Sequence, residues 1–140
     1  MKLKEIMTKD VEVIEPGASL QTAAQRMRDR DIGFLPVCDG ERLIGVVTDR
    51  DIVVRAAADG TDPKAILGRD VLTSPVIYCF DDQDVREAAK IMHDNQIRRL
   101  VVLNRGDKQM TGVVSLGDLA MHVEDKLSGE VLQSISEPDT

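Results

Sequence analysis

Apolar residues at Leu20, Ala23, Ala24 and Met27 recur at i, i+3, i+4 and i+7, the spacing of one helical face. Ser19 stands ahead of them, after the turn at Pro16-Gly17, in the place of an N-cap. An apolar run from Leu35 to Cys38 follows, then a turn at Asp39-Gly40 and a second run from Leu43 to Val47. Ile52, Val53 and Ala56 begin the apolar face of another helix, and a short extended run, Val11 to Ile14, precedes the first one. The pattern predicts strand, helix, strand, strand, helix.

The same order returns further along. Val85, Ala88, Ala89 and Met92 repeat the stripe, and Asp84 with Glu87 has the spacing of a capping box. The extended run is now Val76 to Cys79, and the paired strands are Leu100 to Leu103 and Met110 to Val114, across a turn at Asn104-Arg105-Gly106. Leu119 and Val123 open the last helix. A shift of 65 positions lays Ala23-Ala24 on Ala88-Ala89, Ile32 on Ile97 and Val37 on Val102. After a two-residue insertion near Arg105–Lys108, a shift of 67 lays Gly45-Val46-Val47 on Gly112-Val113-Val114 and Asp51 on Asp118. The chain is a duplication. Residues 1–62 are expected to form the first repeat and 63–126 the second, with the turn-rich Asp59-Gly60-Thr61-Asp62-Pro63 between them and 127–140 as a helical tail. A unit of about 60 residues buries too little surface to be comfortably stable alone, so the two are expected to stack and share a core.

Composition sharpens this. Phe34, Tyr78 and Phe80 are the only aromatic residues, so the core is aliphatic and single-stranded nucleic acid lacks the platforms it needs. A net charge of −7 repels phosphate polymers and anionic lipid, so a phosphate-bearing ligand needs a local basic pocket. No apolar run is long enough to cross a bilayer and no signal peptide is visible, so the expected location is the cytoplasm, with neither nucleic acid nor membrane as a partner. Cys38 and Cys79 lie in apolar runs, as buried free thiols do.

The order of elements, with Gly45-Val46-Val47-Thr48-Asp49-Arg50-Asp51-Ile52 closing one copy and Gly112-Val113-Val114-Ser115-Leu116-Gly117-Asp118-Leu119 the other, strongly resembles the CBS domain. Two such domains in tandem form a Bateman module, and the resemblance covers roughly Leu3 to Lys126. It implies an α/β (α+β) fold of two pseudo-symmetric units, each a short mixed sheet with two helices, packed sheet to sheet. It also implies a stand-alone prokaryotic regulatory protein, a homodimer acting on an unidentified regulated protein, that senses AMP, ADP or ATP and is not an enzyme.

Thr48 with Asp51, and Ser115 with Asp118, read locally as capping boxes; within the family the same geometry implies that the carboxylate receives ribose hydroxyls. Arg98 and Arg99 lead into a buried strand, and guanidinium pairs bidentately with phosphate. Copy one has Gly33 and Phe34 at those places, so the two sites are chemically unequal. By resemblance each cleft draws on both copies. Thr48 and Asp51 would join Val76-Ile77 and Ile97-Arg98, whereas Ser115, Asp118 and Arg99 would join Val11-Glu12 and Ile32-Gly33. Backbone groups of the entry strands would meet the adenine edge. Two rival readings stand beside this one: a ligand-free dimerisation scaffold in which both signatures only cap helices, and a redox or metal sensor using Cys38, Cys79, His93 and His122. The cysteines and histidines have no zinc spacing, so neither metal nor cofactor is expected, and no nucleophile–base pattern, phosphate loop or dinucleotide fingerprint appears.

Overall fold

In the computed structural model, which describes residues 1–122, the first helical stripe forms α1, Leu20–Arg30, capped by Ser19, whose side chain accepts a hydrogen bond from the Thr22 N–H. Asp31 ends it in the left-handed conformation, at φ 54°. The buried face is narrower than the apolar spacing: Leu20, Ala23 and Met27 are buried, whereas Ala24 is exposed. β1, Phe34–Asp39, pairs antiparallel with β2, Arg42–Thr48, through the turn at Gly40 (φ 63°). α2, Asp49–Ile52, continues as a π turn over Val53–Ala57, with the Ala58 N–H bonded to the Val53 carbonyl at 2.9 Å. That wider turn keeps Ala56 in the core and leaves Val53, expected on the apolar face, 60% exposed.

The run Val11–Ile14 does not form a strand. Ile14 alone bridges, parallel, to Val37: its N–H reaches the Pro36 carbonyl and its carbonyl accepts the Cys38 N–H. The next rung would need an N–H from residue 36, and proline has none. Val101 stands at the matching place in the second copy. There β3, Tyr78–Phe80, pairs in parallel over three residues with β4, Arg99–Leu103. β4 pairs antiparallel with β5, Met110–Ser115. β1–β2 and β4–β5 each carry a register shift at the same repeat position, Val37/Cys38 and Val102/Leu103.

Between the copies lies the short α3, Gly68–Val71; α4, Val85–Asn95, and α5, Leu116–His122, complete the described helices. Asp84 caps α4 through the Arg86 N–H, but the expected box with Glu87 does not form; Glu87 accepts the Gln83 side-chain amide instead.

The spatial units are offset from the sequence repeats. One is Glu12–Val76; the other combines residues 1–11 with residues 77–122. A 3₁₀ turn at Leu3–Glu5 supplies Leu3 and Ile6 to the core of Val85, Ala88, Met92, Leu100, Val114 and Leu119, and Thr8 bridges to Val113. Residues just before the second copy play the same part in the first: Val71 enters the core of Ile14, Leu20, Ala23, Leu35 and Val47, and Thr73 bridges to Val46. Each signature glycine makes this possible. Gly45 lies under Thr73 and Gly112 under Thr8 so closely that an added Cβ would meet a backbone carbonyl oxygen at 2.9 and 2.6 Å. The expected tail, 127–140, lies outside the described residues, as do Val123, Leu127, Val131, Leu132 and Ile135.

Candidate functional site

β2 and β5 each end in a hydroxyl residue that turns the chain into a helix, and the two ends are built alike. The Asp51 N–H donates to Thr48 Oγ1 at 3.2 Å while the Thr48 N–H donates to Asp51 Oδ2 at 2.9 Å. In the second unit the Asp118 N–H donates to Ser115 Oγ at 3.1 Å and the Ser115 N–H to Asp118 Oδ2 at 2.9 Å. Both boxes are half-buried. Each spends one carboxylate oxygen on the cap; among the described residues Oδ1 of Asp51 and of Asp118 has no hydrogen-bond donor.

A backbone bond ties each box to the residue just ahead of the partner strand, β1 or β4. The Asp49 N–H donates to the Gly33 carbonyl at 2.9 Å, and the Leu116 N–H to the Arg98 carbonyl at 2.8 Å. Gly33 therefore shares a unit with Thr48 and Asp51, together with Glu12, Ile32 and Val76. Arg98 and Arg99 share one with Ser115 and Asp118, together with Val11, Ile77 and Ile97. Arg99 lies directly across the ladder from Ser115, so the two side chains leave the same face of the sheet. Both arginines are exposed, and among the described residues neither guanidinium has a carboxylate partner. Glu12 is engaged within its own unit, in ion pairs with Arg26 and Arg30 of α1 at 3.7 and 3.3 Å. Val11, Ile32, Val76 and Ile97 are half-buried and Ile77 is exposed.

One residue that the sequence pattern did not single out belongs to this geometry. Asp49, first in α2, folds its carboxylate back over Gly33: a Cβ on Gly33 would lie 2.6 Å from Asp49 Oδ2. Oδ1 accepts the Arg50 N–H at 2.8 Å. The available signal was the contrast at matching repeat positions, Gly33 and Asp49 against Arg98 and Leu116.

Cys38 and Cys79 are buried free thiols in different units. Burial raises the pKa of both, and pushes that of Cys79 up to about 12. His93 is exposed. Among the described residues no group of three or more His, Cys, Asp or Glu is placed to hold a metal ion, and no helix is long and apolar enough to cross a membrane.

A family model of the CBS domain matches residues 3–57 and 68–125. Hypoxic response protein 1 of Mycobacterium tuberculosis is 32% identical over 136 residues, covering 96% of this chain and 94% of that protein. A crystal structure of hypoxic response protein I with two coordinated zinc ions is similar at a TM-score of 0.80 and 33% identity, over 89% of this chain and 100% of that one. The crystal structure of CBSX2 in complex with AMP has a TM-score of 0.74 at 23% identity, over 86% of this chain and 93% of that one, a likeness of fold.

Proposed function

The chain belongs to the CBS-domain family as a tandem pair, the architecture of a regulatory ligand-binding module, and from that premise we propose that its ligand is an adenosine nucleotide. The observation that carries this reading is the pair of half-buried boxes whose aspartates keep Oδ1 without a donor. A carboxylate oxygen fixed in direction by its partner oxygen's hydrogen bond is a prepared acceptor for a ribose hydroxyl, at little further entropic cost. Thr48 and Ser115 stand beside the sugar, and the apolar entry segments, Val11-Glu12 with Ile32-Gly33 and Val76-Ile77 with Ile97, offer backbone groups to the base. Phosphate falls to Arg98 and Arg99. Their guanidinium groups are exposed and unpaired among the described residues, on a chain of net charge −7. Binding then shifts helix packing and so the contact with a second copy and with a regulated protein. The reading needs no catalytic residue.

The completeness of the two caps favours a second reading, a scaffold in which the signatures serve helix termination alone. Calorimetric titration of Asp118→Ala and Asp51→Ala with AMP and ATP separates them. As caps, each variant loses one hydrogen bond to the box, about 0.5–1.5 kcal/mol of stability, and the two behave alike. As ribose acceptors they differ. A hydrogen bond to a charged group contributes about 1.5–3 kcal/mol, roughly ten- to a hundred-fold in affinity. Asp118→Ala therefore abolishes most nucleotide binding, and Asp51→Ala removes only a weaker site. Unchanged nucleotide binding in both variants assigns the two aspartates to the caps alone, and no binding to the unaltered chain leaves the scaffold reading.

A further inference from the structure

Both signatures close with the same cap, but the charges beside them are opposite. In the second unit the strand entry carries Arg98, and the first helical position is Leu116, whose side chain is buried in the core. In the first unit the entry is Gly33 and the first helical position is the exposed Asp49. One hydrogen bond orients the Asp49 carboxylate. Its Oδ1 accepts the Arg50 N–H at 2.8 Å, and its Oδ2 occupies the space that a side chain on residue 33 would need, 2.6 Å from the missing Cβ. The carboxylate fills the very gap that Gly33 leaves, at the repeat position where the second unit presents a guanidinium stem. Arg50 follows on the exposed side, and its guanidinium has no hydrogen bond or ion pair among the described residues, so its charge is not anchored there.

We infer that Asp49 is a specificity-determining residue that turns the Thr48–Asp51 signature away from phosphate and toward an adenine nucleoside whose 5′ substituent is neutral or cationic. The inference rests on the nucleoside reading above and deepens it. On that reading a ribose accepted by Asp51 would sit at the first turn of α2, the turn that also carries Asp49, with its 5′ substituent facing that charge. A fixed negative charge a few ångströms from a phosphate dianion repels it by about a factor of ten in affinity, even with nearly full solvent screening. A neutral 5′ hydroxyl loses nothing, and an ammonium gains.

Amide resonances resolve the two signatures in the intact chain. Thr48–Ile52 report on one and Ser115–Leu119 on the other during titrations with adenosine, AMP and 5′-amino-5′-deoxyadenosine. In the unaltered chain, Thr48–Ile52 should respond to adenosine at about tenfold lower concentration than to AMP, and to the amino derivative at lower concentration still. Asp49→Asn keeps the side-chain oxygen that accepts the Arg50 N–H and removes the charge. It should bring AMP and adenosine within about twofold of each other at Thr48–Ile52 and leave Ser115–Leu119 unchanged. Asp49→Leu, the residue found at the matching position of the second copy, should do the same. An AMP-to-adenosine ratio at Thr48–Ile52 that neither variant moves overturns the inference alone. Absence of any response to adenosine at both signatures overturns the nucleoside reading and the inference with it.

Discussion

Gly112 offers the sharpest test of how the second unit is closed. It lies in β5 opposite Val102, and a Cβ there would sit 2.6 Å from the Thr8 carbonyl oxygen and 2.9 Å from Met7 Sδ. Carbon–oxygen contacts begin near 3.3 Å, so in Gly112→Ala the Thr8 backbone must retreat by about 0.7 Å. That carbonyl accepts the Val113 N–H at 3.0 Å, and the Thr8 N–H donates to the Val113 carbonyl at 2.9 Å. A retreat of this size carries both beyond useful hydrogen-bond length, at about 1 kcal/mol each. The same segment carries Leu3 and Ile6 into the core, and their loosening adds a further 1–2 kcal/mol of the kind that overpacking typically costs. The expected loss is therefore about 3–4 kcal/mol in urea unfolding followed by circular dichroism, with faster hydrogen exchange at Thr8 and Val113. Gly17→Ala is the control, since nothing lies within 4 Å of its added Cβ. If Gly112→Ala matched that control to within about 0.5 kcal/mol and left both amides protected, close packing under Thr8 would not be what requires glycine there.

Replacing Arg98 and Arg99 together by alanine should weaken AMP and ATP far more than adenosine in calorimetric titration; equal losses would assign both arginines to the fold. The buried Cys79 thiol should resist thiol-specific labelling in the native chain and react only after denaturant is added, and prompt labelling without denaturant would contradict its burial. Because the native Cys79 pKa is pushed up to about 12, the unfolded chain loses that proton first as pH rises. Stability should therefore fall above about pH 9, by up to 1.4 kcal/mol per pH unit for one thiol, and Cys79→Ser should flatten that slope. The chain is expected to form a two-fold dimer, and light scattering that gave the mass of a single chain across the micromolar range would refute this.

Most of the local architecture was legible because it is decided locally. Ser19 and Asp84 cap as their positions suggested, and the apolar runs at Leu35–Cys38 and Leu100–Leu103 became paired strands. The α/β class and the family followed from two in-register signatures. Other features depended on long-range geometry. Repetition shows what each unit must contain but not which copy supplies it, so the packing of residues 1–11 with the second copy could not be read from a self-alignment. The single-rung edge at Ile14 turned on one missing N–H at Pro36, a residue that a hydropathy pattern scores as part of the strand. Val53 fitted a 3.6-residue period, and the π turn took it out of phase. At the signatures, the residue types alone read as caps and the family resemblance added a ligand; only coordinates show a carboxylate oxygen left without a donor, or Asp49 lying over Gly33.

The placement of residues 1–11 has a consequence for how the protein is made. The unit Glu12–Val76 is continuous, so it can assemble as soon as its own stretch has emerged from the ribosome. Leu3 and Ile6 emerge earlier but find their core partners only when α4, β4 and β5 have followed, and Met7 meets Thr111 across 104 positions of sequence. During synthesis the first apolar residues to appear are thus among the last to be covered. That interval is the time in which a chaperone has the most to protect, and a substitution that slows closure there would be felt as lost yield before it was felt as lost stability.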